Sequence, residues 1–273
     1  MKNSLLIIIA AVYLTLVSCS KDETENTDTP TNTQWEKVAG TATDIAIGSD
    51  SEGTVWIISN EYAYGTTDYS IKKRNGSEWQ TIEGFATRIA VDQNGLAWVI
   101  NSGGDIYRYS NSGGGLKNVN GWGGVGGLTA KEIAIGKNGA VWVISNQAGL
   151  SANNYKIASL ALLSWTVGIG EGTKIAVDPL GNPYVTNSSS SVYFSYNGGA
   201  WTNLSGISAR EISYGANGQC WVISNEPTTG GYKVKQANGA VWEDREIGAV
   251  EIAVDPNGKA WIINDKNEIY KFK

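Results

Sequence analysis

Residues 87–101 read TRIAVDQNGLAWVIN. A short apolar run, Ile89-Ala90-Val91, breaks at Asp92-Gln93-Asn94-Gly95 and resumes as Ala97-Trp98-Val99-Ile100. Two such runs around a Gly-containing turn read as a hairpin. The stretch recurs at Ile45-Ala46-Ile47, Ile133-Ala134-Ile135, Ile175-Ala176-Val177, Ile212-Ser213-Tyr214 and Ile252-Ala253-Val254. Each copy is followed by an aromatic residue: Trp56, Trp98, Trp142, Tyr184, Trp221 and Trp261. Each then reaches an asparagine: Asn60, Asn101, Asn146, Asn187, Asn225 and Asn264.

A second aromatic slot precedes each copy, at Trp35, Trp79, Leu116, Trp165, Trp201 and Trp242, with one leucine exception. Units therefore start near 35, 79, 116, 165, 201 and 242 and fill the chain to Lys273. Within a unit, T-R-I-A-V, L-A-W-V-I-N, D-I-Y-R-Y and W-x-x-V each carry strand patterning with turn residues between. Four strands per roughly forty residues, repeated, predict an all-β, six-bladed β-propeller of four-stranded blades. The last unit stops at its third strand, Ile269–Phe272, and Trp35–Val38 is a fourth strand with no unit before it. Pairing the two would complete the last blade and remove both exposed edges. Cys220 takes the position held elsewhere by Val55, Ala97, Val141, Pro183 and Ala260, so it reads as a small buried apolar residue.

The pattern W-x-x-V-x-G (Trp35–Gly40), then I-A-V-x-x-x-G-x-x-W-V-x-N (Ile89–Asn101), then I-Y-x-Y (Ile106–Tyr109), resembles the tectonin repeat. Six-bladed lectins of the tachylectin and fish-egg type share it. The resemblance covers 35–273 and implies a propeller that binds glycans, such as an envelope polysaccharide. This chain departs from it by alternating. Odd units read I-A-I-G and W-V-I-S-N with a long insertion, whereas even units read I-A-V-D and W-V-I-N with a short one. The unit of duplication is a pair.

Composition narrows the chemistry. The 273 residues hold 34 Gly and 11 Trp, only 17% charged residues and no histidine. Absence of imidazole excludes Ser-His-Asp and Cys-His catalysis and any zinc site built on histidine. A net charge of −5 argues against nucleic acid as a partner. No cofactor motif is present. The apolar run Leu5–Val17 is too short to cross a bilayer core of about 30 Å and has the layout of a secretory signal, assigned to 1–18. It ends in Leu16-Val17-Ser18-Cys19, which resembles a bacterial lipobox and implies lipidation of Cys19. Residues 19–34 are polar enough to be a disordered tether. Ser20-Lys21-Asp22-Glu23 resembles a surface-export signal, so the expected place is the outer membrane of a Gram-negative cell, with contact through the lipid alone.

Candidate binding residues cluster on one rim. The long insertions Glu61–Asp68, Gln147–Asn154 and Glu226–Gly231 fall there, as does the connection Asn118–Glu132. Trp122 lies in that connection, outside both aromatic slots as assigned above. An indole in a Gly-rich loop suits stacking on a sugar ring, as do Tyr62 and Tyr64. The alternative is that Trp122 folds down onto the channel mouth. Before each inner-strand Ile come Asp44, Arg88, Glu132, Lys174, Glu211 and Glu251. Arg88, Glu132 and Lys174 would form inter-blade salt bridges or a polar floor for a hydroxyl-rich ligand. Asp92, Asp178 and Asp255 on the other rim read as turn caps and not as a metal site. A glycan-binding, non-catalytic lipoprotein is the leading expectation. A protein-interaction scaffold in an envelope complex is the alternative, and a lyase or hydrolase on rim carboxylates is third.

Overall fold

The apolar runs become strands where the repeat places them. A computed structural model describes residues 34–63, 65–110, 122–162, 164–196 and 198–273. Residues 1–33, to which the signal, the lipidated Cys19 and nearly all of the tether are assigned above, lie outside the described residues, as do Tyr64 and Leu116. The first strands are β1 (Trp35–Ile47), β2 (Val55–Tyr62), β3 (Tyr69–Asn75), β4 (Glu78–Ala86), β5 (Arg88–Val91), β6 (Ala97–Ile100), β7 (Ile106–Tyr109) and β8 (Trp122–Gly124). Next come β9 (Ala130–Ile135), β10 (Val141–Ala148), β11 (Tyr155–Ala161), β12 (Ser164–Gly172), β13 (Lys174–Val177), β14 (Pro183–Thr186) and β15 (Ser191–Ser195). The last are β16 (Trp201–Tyr214), β17 (Cys220–Thr228), β18 (Gly231–Asn238), β19 (Val241–Ala249), β20 (Glu251–Val254), β21 (Ala260–Ile263) and β22 (Glu268–Phe272).

The protein is all-β. Two sheets have four antiparallel strands, β5-β6-β7-β8 and β9-β10-β11-β12. Two have seven, because β1 and β16 change partners halfway. Trp35–Thr41 of β1 pairs with β22, and Ala42–Ile47 pairs with β2. Ser208 of β16 is still opposite β15, while Ala209 is opposite β17. The expected pairing of Trp35–Val38 with Ile269–Phe272 is present, Trp35 facing Phe272 and Val38 facing Ile269.

The second strand of each unit is apolar on both faces because a neighbouring sheet covers each face. Ile57, Ile58, Val143, Ile144, Val222, Ile223, Ile262 and Ile263 are essentially inaccessible. Full burial contributes roughly 1.5–3 kcal/mol for each such side chain. Six apolar clusters result among the described residues, and one joins β1 to β21 and β22, with Val38, Ala42 and Ile45 against Trp261, Ile263 and Ile269. Cys220 is buried in this packing as a free thiol, and burial pushes its pKa up to about 12.

Tryptophan N–H groups reach backbone carbonyls of a neighbouring unit in two series, although Trp165 Nε1 is buried without a partner. In the fourth-strand series, Trp79 Nε1 donates to Ala39 O at 2.7 Å, Trp122 to Glu83 O at 2.8 Å and Trp35 to Arg245 O at 3.0 Å. The glycine of W-x-x-V-x-G is there for this contact. A Cβ on Gly40 (φ +102°) would lie 2.8 Å from Trp79 Nε1, and one on Gly84 (φ +130°) would lie 2.9 Å from Trp122 Nε1. In the second-strand series, Trp56, Trp142 and Trp221 donate to Gly95 O, Gly181 O and Gly258 O at 3.1, 3.2 and 2.9 Å. These acceptors are the turn glycines of the even units. Asp92, Asp178 and Asp255 cap those turns through Oδ1, each accepting from the N–H groups two and four residues on.

The structure corrects the reading of Trp122. It is the fourth-strand tryptophan of its unit, in the slot assigned above to Leu116, and is 6% exposed. Its ring packs edge-on to Tyr109 with centres 5.1 Å apart. Trp122→Ala should therefore lower the melting temperature by roughly 6–20 °C, from a large-to-small cost of about 3–5 kcal/mol. Calorimetry checks this, and an unchanged transition would contradict the assignment.

Candidate functional site

The residue before each inner-strand isoleucine is polar, and the six of them converge. Asp44, Glu132, Lys174, Glu211 and Glu251 line a narrow space of about 120 Å³ between the inner strands β1, β5, β9, β13, β16 and β20. Arg88, the sixth, ties into the same network. Its Nε meets Glu132 Oε1 at 2.9 Å, and Lys174 Nζ reaches Glu132 Oε1 at 3.4 Å and Glu251 Oε2 at 2.9 Å. Two of the expected neighbour pairs, Arg88–Glu132 and Glu132–Lys174, are thus formed. Asp44–Arg88 and Lys174–Glu211 are not ion pairs among the described residues, and Lys174 reaches past Glu211 to Glu251. Asp44 accepts from two backbone amides, Ile45 N at 2.8 Å and Ile89 N at 2.9 Å.

Four carboxyl groups share this space with two cations, so charge does not balance. Burial, reinforced by the Glu251 charge, raises the Asp44 pKa to about 7. Burial also lifts Glu211 well above the ordinary carboxylate range, with Glu251 again adding to the effect. Burial works against the Lys174 charge, but Glu132, Glu251 and Glu211 outweigh it and keep Lys174 protonated. Glu211 Oε2 is buried without a hydrogen-bond partner.

Lys174 and Glu211 also border a groove of about 390 Å³. Its wall carries Thr173, Asn187, Ser188 and Ser190, with Arg210 and Tyr232 opposite. Arg210 lies over the Tyr232 ring at 4.0 Å from its centre and donates from Nη1 to Asn225 Oδ1 at 3.3 Å. Hydroxyl, amide, guanidinium and protonated carboxyl groups here offer hydrogen bonds of both senses to a polyol.

The three long insertions do structural work. Asp68 Oδ1 accepts from Ser102 N at 2.6 Å, Asn154 Oδ1 from Ser188 N at 2.8 Å and Gly230 O from Asp265 N at 3.0 Å. Each insertion thereby clasps the short loop of the following even unit at one equivalent position. Asp68 and Asn154 are buried in these contacts.

Of the site residues expected from sequence, Glu132 and Lys174 line the axial space and Arg88 joins them through Glu132. Trp122 is buried in its sheet and forms no exposed platform with Tyr62. Tyr62 is 67% exposed and its ring lies tilted against Tyr69 of its own hairpin, centres 4.3 Å apart. Arg210, Tyr232 and Ser188 were not singled out. The one sequence signal for them is the hydroxyl run Ser188–Ser191 on a short loop.

Comparison with known proteins agrees with this architecture. Residues 14–146 match the family model named Tectonin domain. That stretch is similar to a tectonin domain. No curated protein matches it. Among solved structures, it is similar to a structural-genomics protein of unknown function from Bacteroides thetaiotaomicron, at 14% identity and TM-score 0.58, covering 86% of this chain and 70% of that one. It is similar to YCF48 bound to a D1 peptide, at 15% identity and TM-score 0.56, covering 88% and 96%. A gluconolactonase from Xanthomonas campestris is similar at 11% identity and TM-score 0.57, covering 86% of each chain. At these identities the likeness is one of fold.

The buried carboxyls give the protein a defined pH response. A carboxyl whose folded pKa is raised stabilises the fold below its unfolded pKa and loses that contribution as pH rises through the folded value. Stability should therefore fall between about pH 4 and pH 7 for Asp44, with Glu211 acting in the same direction. Glu211→Gln should flatten the profile and raise the melting temperature at pH 8. Identical slopes for the two proteins between pH 4 and pH 8 would contradict a buried, protonated Glu211.

Proposed function

We propose that this chain is a six-bladed, ring-closed tectonin propeller that binds glycan without catalysing a reaction. Lipid on Cys19 holds it at the outer membrane of a Gram-negative cell, with the propeller facing outward. Six four-stranded blades follow if β1 and β16 are each divided where they change partners, and the β1–β22 pairing would close the ring. The lipid anchor rests on Leu16–Cys19 and the surface position on Ser20–Glu23.

One observation carries the glycan reading. The groove beside Tyr232 is walled by hydroxyl and amide side chains and meets Glu211, whose buried Oε2 has no protein partner. A buried polar atom without a partner costs about 1–3 kcal/mol, and a sugar hydroxyl would satisfy it. Its volume of about 390 Å³ suits a small saccharide, since ligand pockets run to roughly 300–1,000 Å³. A non-catalytic role is supported by how the other axial carboxyls are held. Glu132 and Glu251 are tied up in ion pairs and Asp44 accepts from two amides, an arrangement that favours a structural role for these carboxyls over acid–base chemistry.

A glycan array probed with the Cys19→Ala protein tests both halves of the proposal. Release of that protein from membranes is expected, together with binding to at least one glycan. Arg210→Ala should then weaken that binding by about tenfold, the equivalent of roughly 1.4 kcal/mol. An array without any bound glycan, or binding unchanged by Arg210→Ala, would refute the groove as the site.

A further inference from the structure

A second, larger groove lies on the far side from the long insertions, where the first and last units meet. It has a volume of about 640 Å³ and is bordered by Thr54, Lys73, Arg74, Gln80, Asn257 and Lys271. Gly53 of the first unit closes one side against Pro256 of the last. A Cβ on Gly53 (φ +61°) would stand 2.9 Å from Pro256 Cδ, so only glycine allows this approach.

Arg74 is the unusual group here. Its guanidinium carbon lies 5.3 Å from the ring centres of both Trp79 and Trp261. Ring contacts of this kind engage the face of the cation and leave its N–H edge. Nη1 is buried and has no hydrogen-bond partner, and Arg74 forms no ion pair among the described residues. Lys73 and Lys271 are each held over a tryptophan ring as well, at 5.5 Å from the centre of Trp56 and 5.2 Å from that of Trp261. Two acids, Glu52 and Asp255, border the same groove, and Oδ1 of Asp255 is spent on capping its own turn. Three ordered cations, one with a buried and unused donor, face a polar groove large enough for a ring-sized ligand.

We propose that this groove binds the carboxylate of an acidic sugar, anchored by the N–H edge of Arg74. A planar carboxylate matches a guanidinium edge with two parallel hydrogen bonds. The two lysines add charge, and Thr54, Gln80 and Asn257 offer hydrogen bonds to ring hydroxyls. This site is separate from the groove beside Tyr232 and does not depend on it.

The test is a nuclear magnetic resonance titration of the full chain with glucuronate, glucose and inorganic phosphate, following the indole signals of Trp79 and Trp261. Glucuronate should shift both signals saturably, glucose should not, and phosphate should bind at least several-fold more weakly than glucuronate. Arg74→Gln should weaken glucuronate binding about tenfold or more, and Lys271→Gln by a smaller factor of about two to five. If Arg74→Gln loses its dispersed spectrum, Lys271→Gln and the salt dependence of binding decide the question. Equal shifts with glucose, phosphate binding as tight as glucuronate, or binding unaffected by either variant would overturn the proposal. Arg210→Ala, on the other rim, should leave these titrations unchanged, which separates this site from the first.

Discussion

Most neighbouring sheets of this protein are joined by tryptophan indoles whose N–H groups end on backbone carbonyls across the gap. Between β5–β8 and β9–β12 no such bond is made among the described residues, and Trp165 Nε1 of β12 is buried without a partner. The constraint comes from geometry. Faces of neighbouring sheets are apolar and interchangeable, and dispersion between them has little directional preference. A buried indole N–H, by contrast, gains from one well-placed acceptor, and for Trp56, Trp122 and Trp142 that acceptor is a single carbonyl on the adjacent sheet. Apolar packing supplies the attraction. The indoles set the register between sheets. The glycine of the W-x-x-V-x-G motif follows from the same contact, since a side chain at Gly40 or Gly84 would collide with the next tryptophan.

Alternation along the chain follows from what the second-strand indoles accept as partners. Odd-unit tryptophans point to even-unit turn glycines, and the even-unit aspartates hold those turns in shape. On the opposite rim, odd-unit insertions clasp the short even-unit loops at Ser102, Ser188 and Asp265. An odd unit and the even unit after it are therefore fastened twice, once on each rim. A duplicated pair carries both fasteners complete, whereas a duplicated single unit would carry half of each. This accounts for a sequence in which the pair, and not the single unit, is the repeating element.

Much of this was legible in the residues. The apolar runs, the turn glycines and the aromatic spacing located the strands, the β1–β22 pairing and the turn-capping aspartates. Charge alternation before the inner-strand isoleucines located two of the ion pairs, Arg88–Glu132 and Glu132–Lys174, but not Lys174–Glu251. Trp122 was misread because the chain before it is rich in glycine and lengthens the connection, so Leu116 matched the local pattern better. The decisive signal is the distance back to the acceptor: 39 residues from Trp122 to Glu83 and 40 from Trp79 to Ala39. The role of the insertions was hidden for a different reason. Asp68 and Ser102 are far apart in sequence and carry ordinary loop residue types, so only folding shows them bonded. The groove at Tyr232 was hidden likewise, since its walls come from segments far apart in sequence, among them Thr173–Lys174, the 187–190 loop, Arg210–Glu211 and Tyr232.

Hydrogen exchange of the indole N–H groups in the native protein tests the central role of the tryptophans. If the indoles fasten sheet to sheet, then Trp35, Trp56, Trp79, Trp122, Trp142 and Trp221 exchange only when the whole fold opens, and they do so with one common free energy. Independent exchange of these six signals, or rapid exchange of any of them under native conditions, would show that the sheets are held by apolar packing alone.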